Sequence, residues 1–108
     1  MTQGDAVARL RALCGGPRDG ALLRVSLANA LIAAGDRAGA LAELRRATEF
    51  DADYSAAWKL LGKALADIGD AAGAGVAYNQ GIRAASKRGD KQAEREMRVF
   101  LKRLQKPQ

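Results

Sequence analysis

Two stretches of this 108-residue chain decide its fold: LANALIAAGDRAGA at residues 27–40 and LGKALADIGDAAGA at residues 61–74. When the chain is aligned with itself at an offset of 34 residues, nine positions between residues 19 and 52 are identical, most of them in these stretches. Chance would give about three at this composition. A period of this length indicates a helical repeat.

Gly-Asp pairs divide the apolar segments of the chain. Glycine can close a helix C-terminus and aspartate can cap the next N-terminus, so each pair predicts a helix boundary. The pairs are Gly4-Asp5, Gly35-Asp36, Gly69-Asp70 and Gly89-Asp90, and Asp19 and Asp53 are predicted as further N-caps. Apolar residues recur at helical spacing between these boundaries. The sequence predicts an all-α fold with helices at residues 5–14, 20–34, 37–50, 54–68, 71–86 and 90–105.

The composition argues against several classes of function. The chain has no histidine and one cysteine, Cys14, which falls on the apolar side of the first helix and is predicted to be a buried, inert thiol. Phosphate-binding loops and metal-ligand spacings are absent from the sequence. We therefore predict a non-enzymatic protein without a cofactor or metal. A lone cysteine, no long apolar run and no secretion signal predict a cytoplasmic protein with no membrane span.

The 34-residue units resemble tetratricopeptide repeats. In residues 55–88 the resemblance rests on Trp58, Leu61, Gly62, Leu65, Gly69, Ala74 and Tyr78, and in residues 21–54 on Leu27, Ala28, Leu31, Gly35, Ala40, Leu44 and Ala47. The first repeat departs from the pattern at Arg24, where the family has a Trp-like residue. The resemblance implies an α-solenoid of stacked antiparallel helix hairpins. It would form one domain over residues 1–108, with a half-repeat helix at 5–14, repeats at 21–54 and 55–88, and a capping helix at 90–105.

The resemblance also implies a protein-interaction module or adaptor. In such proteins the first helix of each repeat lines a concave groove that holds a peptide or a partner helix. The positions that match this groove are Leu22, Val25, Asn29, Ile32, Ala33, Ala56, Lys59, Lys63, Ala66 and Asp67. Lys59 and Lys63 are one helical turn apart and could bind a carboxylate of an acidic or C-terminal segment, with Asn29 as a neighbour. Alternatively, the two lysines only solubilise an exposed face.

Basic residues concentrate at the C-terminal end of the chain. Residues 87–108 hold eight basic and three acidic side chains, which accounts for +5 of the net charge of +6. One stripe of the last helix carries Lys91, Arg95, Arg98 and Lys102, here called the basic ridge, and continues to Lys106. Three interpretations remain open: a solvated cap, a docking site for nucleic acid or an acidic partner, and, least favoured, a surface for an anionic membrane. Self-association through the solenoid ends or the groove also remains open.

Overall fold

The computed structural model describes residues 3–106, and their side chains from residue 5 onward. All regular secondary structure in this part of the chain is helical, which confirms the all-α prediction. The helices are α1 (Gln3–Leu13), α2 (Ala21–Ala33), α3 (Arg37–Phe50), α4 (Ser55–Asp67), α5 (Ala71–Arg88) and α6 (Lys91–Gln105). The predicted domain limits at residues 1 and 108 lie outside the described residues.

Three of the four Gly-Asp pairs separate helices as predicted. At Gly69 the backbone φ is +88°, a left-handed conformation that glycine adopts without steric cost. The next residue, Asp70, accepts a hydrogen bond of 2.8 Å from the backbone N–H of Gly73 and so caps α5. The pairs before α3 and α6 have the same geometry. Gly4-Asp5 is the exception, because this pair lies inside α1. Asp5 lies in the first turn of α1, where its negative charge interacts favourably with the positive end of the helix dipole.

The prediction that Asp19 and Asp53 are N-caps is wrong. Each aspartate lies one residue before the N-cap of α2 or α4, and neither of these helices has a side-chain cap hydrogen bond. The two carboxylates bind cations instead. Asp19 pairs with Arg24 at 2.8 Å, and Asp53 pairs with Lys87 at 2.9 Å.

The helices form two compact units, Met1–Asp51 and Ala52–Gln108. In the first unit, α2 pairs with α3 and α1 packs on α2. In the second unit, α4 pairs with α5, and α6 packs on α5 and reaches α4. The largest fully buried side chains are those of Leu27, Leu44 and Met97. The predicted division into a half-repeat, two repeats and a cap within one domain stays a prediction.

Two glycines allow the helices of the second unit to approach closely. A Cβ added at Gly62 would lie 2.5 Å from Cε1 of Tyr78 on α5. A Cβ added at Gly81 would lie 2.9 Å from Cβ of Trp58 and still closer to Sδ of Met97. Real Cβ atoms do not approach neighbours this closely, so these two contacts require residues without a side chain.

Candidate functional site

In the first unit, the predicted groove residues on α2 divide into exposed and buried positions. Leu22 and Ile32 are 68% and 44% exposed, and Asn29 is exposed as well. Val25 is only 6% exposed, so it offers little surface to a partner, contrary to its assignment as a groove residue. α2 therefore presents two large apolar side chains and one amide to solvent.

In the second unit, the predicted groove residue Lys59 already holds a carboxylate. Its Nζ lies 3.2 Å from Oε2 of Glu96 on α6, and the two side chains are 29% and 38% exposed. This pair forms because α6 packs on α5 and extends to α4. Lys63, one turn further along α4, is exposed and makes no ion pair with any described residue. Thus α4 carries one cation that is bound to a carboxylate and a second that is available.

Asp67 is the last residue of α4 and is exposed. Its charge acts on the phenol of Tyr78: burial, and secondly the Asp67 carboxylate, raise the pKa of Tyr78. The end of α4 therefore adds a negative charge to the surface on which Lys59 and Lys63 lie. A partner segment with a uniform negative charge would be attracted near the two lysines and repelled at this end.

The basic ridge lies on the exposed side of α6. Its four members, Lys91, Arg95, Arg98 and Lys102, are all exposed. Arg98 binds Glu94 on the preceding turn at 3.0 Å, whereas the other three have no ion-pair partner among the described residues. The opposite side of α6 carries Met97, which is fully buried, and Phe100, whose ring lies 5.6 Å from that of Tyr78.

The most extensive polar cluster of the first unit was not predicted. Arg24 binds Asp19 at 2.8 Å and Glu43 at 2.7 Å, and the side chains of all three are only 10–13% exposed. Hydrogen bonds from Arg24 are the main cause that holds the pKa of Asp19 well below its usual range, and Asp19 in turn raises the pKa of Arg24. The sequence did contain one signal for this cluster: Arg24 lies beside the apolar side of α2, and a charge removed from solvent there needs a partner.

A second residue missed from the sequence is Glu96. It approaches Lys59 from 37 residues away along the chain, and no local pattern marks that pairing. Glu94 and Glu96 are two residues apart and therefore lie on different faces of one helix. The structure gives each of these carboxylates its own cation, Arg98 for Glu94 and Lys59 for Glu96.

Cys14 lies just after α1 and is half-buried rather than buried. Its Sγ lies 3.6 Å from the carbonyl oxygen of Leu10, to which the thiol donates. Within residues 3–106, no group of three or more histidine, cysteine, aspartate or glutamate side chains could hold a metal ion. None of the helices described is both long enough and apolar enough to cross a membrane.

Comparison with known proteins gives close relatives, although no family model matches the chain. The TPR repeat-containing protein PA0015 of Pseudomonas aeruginosa is 52% identical over 86 residues, which cover 80% of this chain and 82% of that protein. Among solved structures, the protein BPP2914 from Bordetella parapertussis superposes with a TM-score of 0.74 at 44% identity, covering 91% of this chain and 85% of that one.

Two further solved structures share the fold. The TPR domain of Sgt2 from Aspergillus fumigatus has a TM-score of 0.69 at 29% identity, and the match covers 98% of this chain and 75% of that one. The MamA protein has a TM-score of 0.68 at 21% identity, covering 94% of this chain and 62% of that one, and at this identity the likeness concerns the fold alone. Both neighbours are consistent with a helical-repeat solenoid.

Proposed function

The chain belongs to the tetratricopeptide repeat family, and from this premise we propose that it is a non-enzymatic adaptor whose α4 surface binds an acidic segment of a partner protein. Membership in the family indicates a protein–protein interaction module in general terms. The chemistry of the partner is the proposed part, and it depends on two lysines of α4.

The ion pair between Lys59 and Glu96 carries the proposal. At 3.2 Å, Glu96 makes with Lys59 the contact that a carboxylate of a partner would make. Both side chains are more than half-buried, and this lowers the local dielectric and strengthens attraction between opposite charges. Lys63 adds a second, unpaired ammonium group one turn away, so an acidic segment could replace Glu96 at one lysine and bind the other.

The exposed side of α2 is the corresponding candidate surface of the first unit. Leu22 and Ile32 supply apolar area, and the amide of Asn29 can both donate and accept hydrogen bonds, as a peptide backbone requires. Extended peptides bound to helical surfaces commonly combine apolar anchors with a few oriented polar contacts. These three residues form a separate candidate surface of the first unit, from which the buried Val25 is left out.

The test measures binding of a fluorescein-labelled acidic peptide, rich in glutamate and with a free C-terminal carboxylate, by fluorescence anisotropy. The variant Lys59→Gln/Lys63→Gln should bind about tenfold more weakly, since two charge-assisted contacts are lost. The matched control is Arg37→Gln/Arg83→Gln, which removes two exposed cations from α3 and α5 and should leave affinity within about twofold.

The variant Glu96→Gln should change the affinity for the acidic peptide in the opposite direction. It removes the internal carboxylate that competes for Lys59, so the acidic peptide should bind a few-fold more tightly than to the wild type. Unchanged affinity in the lysine variant, or an equal loss in the arginine control, would contradict the proposal. Once a probe binds, capture from nuclease-treated lysate with these variants would identify proteins that depend on the two lysines.

A further inference from the structure

The exposed side of α6 carries cations whose charge is not balanced along that side. Lys91, Arg95 and Lys102 have no ion-pair partner among the described residues. The two acidic side chains of the helix are engaged, Glu94 by Arg98 at 3.0 Å and Glu96 by Lys59 at 3.2 Å. The basic ridge therefore keeps a net positive charge after the ion pairs of α6 are counted.

The apolar side of α6 is already used within the second unit. Met97 is fully buried, and the ring of Phe100 packs against Tyr78 while the guanidinium of Arg103 lies 5.8 Å from its centroid. An interfacial membrane helix needs a free apolar face, so this helix is poorly suited to a lipid surface. Val99 is 47% exposed, but its side chain is too small to anchor a protein partner by itself. Interface hot spots are mostly large aromatic or arginine side chains in pockets.

We infer that the basic ridge binds the phosphate backbone of duplex DNA. From Lys91 to Lys102 the ridge runs for about 16 Å at the helical rise of about 1.5 Å per residue. Phosphates of one DNA strand follow one another at about 3.4 Å along the axis, so the ridge spans about five of them. Charge complementarity thus extends along the whole exposed side of the helix.

The shape of the surface favours B-form DNA over other nucleic acids. The major groove of B-DNA is wide enough to admit an α-helix, whereas that of an RNA duplex is deep and narrow. Single-stranded nucleic acid is commonly bound by exposed aromatic side chains on which bases stack. Phe100 is unsuited to that role, because its ring is engaged with Tyr78 and Arg103. The contacts are with phosphate, so binding is independent of base sequence.

The experiment measures anisotropy of a labelled DNA duplex of about twenty base pairs with the full chain at several salt concentrations. Since Arg98 is bound to Glu94, neutralisation of about three phosphates by the other ridge cations predicts a slope of about −3 for log affinity against log salt. The variant Arg95→Gln/Lys102→Gln should reduce the magnitude of this slope by about two. The control Arg37→Gln/Arg83→Gln has the same net charge and should keep the wild-type slope.

Each outcome decides the inference. A reduced slope in the ridge variant alone supports it, provided that circular dichroism shows both variants to be folded. Equal slopes in the two variants would overturn it, because binding would then follow net charge rather than the ridge. Binding of an RNA duplex at least as tight as that of DNA would overturn it as well. This test is independent of the proposed function, since acidic-peptide binding through α4 should survive in the ridge variant.

Discussion

The two units of this protein have residues of different chemical type at the same position of the repeat. Arg24 and Trp58 are 34 residues apart, and each lies in the first turn of the first helix of its repeat. Arg24 binds Asp19 and Glu43 through its guanidinium at 2.8 and 2.7 Å. Trp58 instead donates one hydrogen bond of 2.8 Å from its indole nitrogen to the carbonyl of Ala52. The position in the repeat determines where the side chain lies, and its neighbours determine which chemistry holds it there.

Two further pairs of equivalent positions differ between the units in the size of their buried side chains. The first unit has Ala28 and Leu44, and the second has Gly62 and Tyr78 at the positions 34 residues later. All four residues are buried. The tyrosine is larger than the leucine, and the glycine that faces it is smaller than the alanine, so the two pairs fill similar volumes. In the second unit, the small Gly62 therefore makes room for the large ring of Tyr78.

The largest predicted effect comes from Gly62→Ala, which breaks the match in the second unit. The added Cβ would lie 2.5 Å from the ring of Tyr78, a side chain only 2% exposed that has little room to move. Overpacking should lower the free energy of unfolding by about 2–3 kcal/mol, even though alanine favours the helix by about 1 kcal/mol. Urea denaturation monitored by circular dichroism would measure the loss.

The double variant Gly62→Ala/Tyr78→Leu sharpens this prediction, because it installs the residue pair of the first unit in the second. It should regain at least half of the stability that Gly62→Ala loses. A double variant that is less stable than both single variants would show that the two positions do not compensate each other.

The next largest effect is expected for Arg24→Trp, which gives the first repeat the residue type of the second. Asp19 and Glu43, mostly removed from solvent, would both lose their partner. The free energy of unfolding should fall by about 2 kcal/mol in denaturant titrations. A suitable control is Arg46→Ala, because its 3.8 Å pair with Glu49 is exposed and should contribute about 0–1 kcal/mol. Equal stability of Arg24→Trp and wild type would refute a stabilising role for the cluster.

The same cluster predicts that stability depends on pH through Asp19. Hydrogen bonds from Arg24 lower the pKa of Asp19 in the folded state, while the unfolded chain has the ordinary value of about 3.9. Its contribution is therefore complete at pH 6 and is lost as the pH falls below about 4. The stability advantage of wild type over Asp19→Asn should shrink between pH 6 and pH 2.5 in urea titrations. A constant advantage would contradict the prediction, and Arg24→Trp should show the same weakened acid dependence as Asp19→Asn.

The smallest effect is expected at the ion pair of the second unit. Lys59→Gln removes a contact of 3.2 Å between side chains that are 29% and 38% exposed. Its free energy of unfolding should change by no more than about 1 kcal/mol, since partly exposed ion pairs contribute little. A thermal melt beside wild type would measure the change. A loss as large as that of Arg24→Trp would mean that the two clusters have equal structural roles.

Local chemistry was sufficient to locate the helices and the repeat. Apolar spacing and Gly-Asp boundaries depend on neighbouring residues, so helix limits read from sequence agree with the structure to within two residues at each end. The basic ridge was also predictable, because its members share one side of one helix. The errors at Asp19 and Asp53 arose because each aspartate binds a cation instead of capping a helix, Arg24 five residues away and Lys87 34 residues away.

Contacts between helices far apart in sequence were beyond such local reasoning. Lys59 meets Glu96 across 37 residues, Arg24 meets Glu43 across 19, and Val25 is buried on a helix whose other predicted groove residues are exposed. A repeat pattern assigns each side chain to a face of its helix, and folding decides which neighbour that face meets. Each of these outcomes depends on how helices approach one another, and that approach follows from the summed packing of many side chains rather than from any short segment.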